Sequence, residues 1–148
     1  MHEALQRIIA FAIEKEKGAE RFYLKWAERA EESEVKELLR ELASDEQRHA
    51  KRLAEADVED LLAETPPPND FRLAELIEET APRDDMSLAD AVAIAIEREQ
   101  RAIDLYERLL RHASQGEKLF RALADDERRH KHRLELRYAL LSRRGAKN

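Results

Sequence analysis

A chain of 148 residues with 41% charged residues, three glycines and four prolines has too few turn residues for a sheet-rich fold and enough length to bury one core. Its formal net charge of −6, with both signs interspersed, carries no nucleic-acid or anionic-membrane footprint, so neither partner is expected. The absence of cysteine excludes disulfides, zinc knuckles, iron–sulfur clusters and thiol nucleophiles, which leaves oxygen and imidazole nitrogen as metal donors.

Apolar residues recur at alternating steps of three and four, which predicts an all-α fold of four helices packed side by side. The first, at about 3–31, carries the stripe Ile9, Ala12, Glu16, Ala19, Tyr23, Trp26 and Ala30. Its opening lacks the basic leader and small-residue cleavage site of a signal peptide, so a cytoplasmic location is expected. The second, at about 33–62 with Ser33 as N-cap, carries Val35, Leu39, Leu42, Glu46, His49, Leu53 and Ala56. Residues 63–86 form a long crossover, because Pro66, Pro67 and Pro68 cannot continue a helix; a short helix at 71–77 is expected within it. The third begins at Ser87, which stands three residues before Asp90 in a capping-box spacing, and its stripe is Leu88, Val92, Ala95, Glu99, Ala102, Tyr106 and Leu109. Gly116 lies in the next short turn. The fourth carries Phe120, Leu123, Glu127, His130, Leu134, Arg137 and Leu141 to about 142, before a frayed basic tail at 143–148. One domain over 1–148 follows, with two antiparallel hairpins at about 3–62 and 87–142.

The two hairpins repeat each other. A shift of 83 places superposes Ala10, Ala12, Ile13, Glu14, Glu16, Ala19 and Tyr23 on Ala93, Ala95, Ile96, Glu97, Glu99, Ala102 and Tyr106. A shift of 81 superposes Leu38, Leu42, Ala43, Asp45, Glu46, Arg48, His49, Arg52 and Leu53 on Leu119, Leu123, Ala124, Asp126, Glu127, Arg129, His130, Arg133 and Leu134.

Each half therefore places one glutamate and one Glu-x-x-His on a stripe that is otherwise apolar. Four unpartnered carboxylates in one core cost several kcal/mol each in effective desolvation, roughly, so positive charge is required there. No lysine lies on these stripes, and the one arginine, Arg137, is two turns from His130. Two divalent cations balance the four glutamates, and neutral imidazoles add one nitrogen each. The i, i+3 spacing stacks Glu and His on one helical face, so both reach the same metal pair. A Glu from each of two helices with a Glu-x-x-His from each of the other two is the di-iron or di-manganese carboxylate arrangement. The expected ligands are Glu16, Glu46, His49, Glu99, Glu127 and His130, holding two iron ions, with manganese or a mixed pair as alternatives.

The segments AIEKEKGAERFY and DEQRHAKRL in the first half, with AIEREQRAIDLY and DERRHKHRL in the second, resemble the rubrerythrin branch of the ferritin-like superfamily over nearly the whole chain. The resemblance implies a ferritin-like bundle in which Glu16 and Glu99 are terminal or chelating ligands, Glu46 and Glu127 bridge, and His49 and His130 each cap one metal. It also implies that Tyr23 and Tyr106 stand just behind the ligands. Two departures are visible. The rubredoxin domain that such proteins append has no cysteines here to build it, so an external reductant protein is expected. The family's further glutamate, one turn after the third-helix ligand, is Ala102 here, and its repeat mate is Ala19. A ligand swap at that position is not expected, and Glu20 is the carboxylate expected to reach the rim.

A single Glu-x-x-His on a charged helix is usually a solvated coincidence; two in register on a buried seam, with matching upstream glutamates, are not. Seam tyrosines are as often packing as site residues, and Trp26 reads as packing. Glu14, Glu97, His2, His112 and His132 fall off the seam and read as solvated. Asp45 and Asp126 either orient a histidine from behind the ligands or pair with surface arginines. Three function classes remain open. The leading one is a non-haem di-iron oxidoreductase that reduces hydrogen peroxide or dioxygen. The second is ferroxidase or iron handling, and the third a metal-stabilised interaction module without turnover. A homodimer is the expected oligomer.

Overall fold

The computed structural model describes the backbone of residues 2–56, 81–112 and 116–147, and the side chains of 5–56, 81–111 and 116–143. Four helices account for these residues: α1 His2–Arg29, α2 Ser33–Glu55, α3 Leu88–His112 and α4 Glu117–Lys147. No strand occurs among the described residues. The expected crossover helix at 71–77, and most of the crossover itself, lie outside the described residues.

Three boundaries differ from the sequence expectation. α2 ends at Glu55, because Ala56 turns into extended backbone at φ −69 and ψ 134 with its N–H bonded to the Leu53 carbonyl, so the helix stops short of the expected residue 62. Ser33 is a helical residue rather than the N-cap. That place belongs to Glu32, whose extended backbone accepts from the Lys36 N–H at 3.0 Å and which makes no side-chain cap hydrogen bond. The basic tail is helical through Lys147, where Arg and Lys are good helix formers and their charge suits a helix C-terminus.

The α1–α2 turn is closed by Lys36, whose ammonium donates to the carbonyls of Ala27 and Glu28 at 3.2 and 3.3 Å and satisfies the end of α1. The start of α3 shows the expected capping box: Asp90 N–H donates to Ser87 Oγ at 3.1 Å, and Ser87 N–H donates to Asp90 Oδ2 at 3.4 Å. The segment before it is tied to α1 by Lys25 and Arg29, which bond the Asp84 carboxylate and carbonyl.

Helices pack closely within each hairpin and more openly across the two. The apolar core has two parts. One gathers Leu5, Ile8, Ile9 and Ala12 with Leu53, Leu105, Leu109, Phe120 and Leu123. The other gathers Phe22, Trp26 and Ala30 with Val35, Leu39, Leu42, Val92 and Leu134. Fully burying each of these large side chains contributes about 1.5–3 kcal/mol, so the two clusters supply the fold's main stabilisation. A polar layer lies between them.

Candidate metal centre

All six buried polar or charged residues of the described chain sit in that layer: Glu16, Glu46, His49, Glu99, Glu127 and His130, each at most 3% exposed. α1 and α3 each contribute one glutamate, and α2 and α4 each contribute a glutamate and a histidine one turn apart. The residues expected from the sequence to act as ligands are thus brought to one place, in two overlapping groups. Glu16, Glu46, His49 and Glu127 offer atoms within 4.8 Å of one another, as do Glu46, Glu99, Glu127 and His130. Glu46 and Glu127 belong to both groups.

The histidines define the layer's geometry. Their rings stack with centroids 5.8 Å apart and planes 18° apart. Nε2 of His49 meets Asp126 Oδ2 at 2.9 Å, and Nε2 of His130 meets Asp45 Oδ2 at 2.9 Å. Each Nε2–H is thereby given to an aspartate, which turns Nδ1 inward. His49 Nδ1 lies 3.4 Å from Glu16 Oε2, 3.4 Å from Glu46 Oε1 and 3.3 Å from Glu127 Oε1. His130 Nδ1 lies 3.1 Å from Glu46 Oε1, 3.6 Å from Glu99 Oε1 and 3.1 Å from Glu127 Oε1. One oxygen of Glu46 and one of Glu127 therefore each face both imidazole nitrogens.

Behind the glutamates, Tyr23 Oη donates to Glu99 Oε1 and Tyr106 Oη donates to Glu16 Oε1, both at 2.5 Å. Burial, then the charge of Glu99 or Glu16, pushes both phenols well above their usual pKa, so both remain donors. The aspartates each make the two contacts that the sequence left as alternatives, since Arg48 holds Asp45 and Arg129 holds Asp126 by their other oxygens. Each of these four supports serves the opposite half of the repeat. The crossing follows from direction: Tyr23 with Glu99 and Tyr106 with Glu16 require α1 and α3 to run antiparallel, and the Asp–His pairs require the same of α2 and α4. The pairing was latent in the repeat, but only helix direction decides which half each support serves.

Each of the six candidate ligands has one buried atom without a hydrogen bond: Glu16 Oε2, Glu46 Oε1, His49 Nδ1, Glu99 Oε2, Glu127 Oε1 and His130 Nδ1. Native structures rarely leave such atoms unpaired, and six converging on one layer fit a shared cation cluster. The protons of the layer tell the same story. Burial pushes Glu16, Glu46 and Glu99 up, with the Glu127 charge adding to it, and Glu99 reaches about 8. Burial also pushes Glu127 up, but His130 and His49 outweigh it and hold its carboxyl well below the usual range. For the histidines, burial lowers the pKa, yet the facing carboxylates, Glu127 foremost, lift both to about 12. The layer holds together only with positive charge between its oxygens and nitrogens, carried by protons or by metal ions.

A cavity of about 490 Å³ reaches this layer between α1 and α3, where Glu16, Glu46, Glu99 and Glu127 line its floor and Gly18, Ala19 and Ala102 leave its walls thin. Its lining also includes Lys15, Arg21, Lys25, Arg98 and Arg101. Sequence reasoning missed these rim residues, which sit off the seam among many similar charges. Glu20 does not reach this rim; it lines a separate groove between α1 and α2. Glu14 and His132 are exposed as expected, Glu97 pairs with Arg101 at 3.0 Å, and the side chains of His2 and His112 lie outside the described residues. Trp26 packs in the core against Phe22.

A family model for rubrerythrin matches residues 7–138. The chain belongs to the rubrerythrin family. The match reaches into all four helices and includes every residue of the polar layer, so the fold and a carboxylate–histidine metal site are family features of this chain. Comparison with curated proteins and with solved structures returned no match. Among the described residues, no helix is long and apolar enough to cross a membrane.

Proposed function

We propose that this rubrerythrin-family protein is a di-iron oxidoreductase that reduces hydrogen peroxide with electrons from an external donor protein. The observation that carries this reading is the cavity between α1 and α3, which leads a small molecule to the four glutamates. Two iron ions held by Glu16, Glu46, His49, Glu99, Glu127 and His130 would supply one electron each, the two that a peroxide consumes in becoming two waters. Glu46 and Glu127, each facing both histidines, would be shared between the two ions, and Glu16 and Glu99 would each hold one. Tyr23 and Tyr106 hold Glu99 and Glu16 in position and keep an O–H donor beside each. Asp126 and Asp45 keep His49 and His130 presenting Nδ1.

The rim favours this reading over iron storage. Five cations, Lys15, Arg21, Lys25, Arg98 and Arg101, line the cavity above the four glutamates of the floor, with Glu14, Asp84 and Glu97 beside them. Cations at the mouth slow the entry of ferrous ions, whereas neutral peroxide passes them without that barrier.

Stopped-flow mixing of anaerobic diferrous protein with peroxide, and separately with dioxygen at the same concentration, tests the proposal. Faster oxidation by peroxide is expected. The margin should be smaller than in family members that carry a glutamate at the place of Ala102. Equal or faster oxidation by dioxygen assigns the site to oxidase or ferroxidase chemistry instead.

A further inference from the structure

The outer seams of the two hairpins are not alike, although the sequence repeats. On the second hairpin, Lys131 Nζ donates to Gln100 Oε1 at 2.7 Å and Gln100 Nε2 donates to Asp104 Oδ1 at 3.0 Å, which ties α4 to α3 beside the buried Ile103. On the first, the mates of Lys131, Gln100, Asp104 and Ile103 are Ala50, Lys17, Arg21 and Glu20. The bridging lysine is missing, and the seam opens into a groove of about 740 Å³ between α1 and α2. Four cations line it, Lys17, Arg21, Arg48 and Lys51, against the single carboxylate of Glu20. Among the described residues, Lys17 and Lys51 have no ion-pair partner. In a chain with net charge −6, this is a local reversal of sign.

The groove also adjoins the metal layer through the backbone. Lys17 directly follows Glu16, Gln47 follows Glu46, and Arg48 and Ala50 flank His49, so four groove residues are each one peptide from one of three ligands. Arg48 bonds Asp45, which in turn holds His130.

We infer that this α1–α2 groove is the docking site for the electron donor, and that the donor presents an acidic surface. The inference rests on the proposed function, which requires an external one-electron donor. Charge complementarity selects the partner, and the short covalent path to Glu16, Glu46 and His49 gives the electron its route. Two dockings balance one turnover. Each oxidises one donor by one electron; the peroxide O–O bond breaks, two protons come from solvent, and two waters leave. A nucleic acid would match the groove's charge, but it leaves the adjacency to three ligands without a purpose, and the rest of the surface is net negative.

The test uses iron-loaded full-length protein with reduced plant-type ferredoxin, an acidic one-electron carrier, as probe and basic cytochrome c as control. The double variant Lys17→Glu with Lys51→Glu should lower kcat/KM for ferredoxin about tenfold or more at low salt and flatten its salt dependence. Lys17→Arg with Lys51→Arg should retain the wild-type values, as should Lys118→Glu, an exposed charge outside the groove. Binding of oxidised ferredoxin, followed by calorimetry without turnover, should weaken in parallel. Docking is thus read even if peroxide proves not to be the oxidant, while single-turnover oxidation without any donor reads the proposed function alone. Unchanged ferredoxin binding and kinetics in the charge-reversed variant would overturn the inference, as would a short oligonucleotide displacing ferredoxin at equal concentration.

Discussion

Asp45, on the first hairpin, holds Nε2 of His130, on the second, at 2.9 Å, while Arg48 grips the aspartate's other oxygen. The contact leaves His130 Nδ1 as the atom that faces Glu46, Glu99 and Glu127. Removing such a partner behind a metal-bound histidine weakens metal affinity by about 10–100-fold. Asp45→Ala is therefore expected to lose affinity at one of two sites by that factor, and Asp126→Ala at the other. Chelator competition measures both, and wild-type affinity in either variant would remove the aspartates from the site.

Glu46 and Glu127 each face both histidines, whereas Glu16 and Glu99 each stand near one. Two metals per wild-type chain are expected at saturation. Glu46→Ala or Glu127→Ala should strip most binding of both, while Glu16→Ala or Glu99→Ala should mainly weaken one. Metal analysis after gel filtration, with helicity checked by circular dichroism, decides it. One metal per folded wild-type chain contradicts the paired site.

The pKa shifts set how metal-free stability depends on pH. Glu99 is raised to about 8, so the metal-free fold binds a proton that the unfolded chain releases above its ordinary value of 4.5; this contribution is present at low pH and lost as pH rises through about 8. His49 and His130, raised to about 12 from 6.5, act in the same direction: their contribution is full below 6.5 and declines above it. Glu127, held low, costs stability only when pH falls below its ordinary carboxylate range. Metal-free protein should therefore gain stability from pH 8.5 down to pH 6. Metal must displace these protons, so its affinity rises over the same interval with pH. At a hundredfold excess over Kd, two sites add roughly 5 kcal/mol, or about 10–20 °C in Tm. Scanning calorimetry of loaded and chelator-treated protein should show that gap near pH 8 and a smaller one at pH 6. Equal Tm values at pH 7, or a gap that widens on acidification, would refute the account.

The helices and the polar layer were legible in the sequence because both depend on spacing along one helix. A three-four apolar rhythm decides which face is buried, and carboxylates or histidines on that face are costly wherever the face ends up, so Glu16, Glu46, His49, Glu99, Glu127 and His130 stood out before any fold was drawn. Ser87 and Asp90 were legible for the same reason, since a capping box is closed within four residues. The end of α2 at Glu55 and the helical tail were not, because nothing sharp such as proline or an N-cap marks them locally.

What only the tertiary structure decided are relations between helices. Asp45 serves His130 rather than its own neighbour His49, and Tyr23 serves Glu99 rather than Glu16, because antiparallel pairing of α1 with α3 and of α2 with α4 sets which halves meet. Glu20 turns to the α1–α2 groove and not to the cavity above the metal layer, a matter of side-chain direction around α1 that its distance from Glu16 does not determine. The open groove itself arises from Ala50 facing Lys17 where the other hairpin has Lys131 bonded to Gln100. Sequence spacing determines what one helix buries; how two helices are aimed at each other depends on the packing of all four.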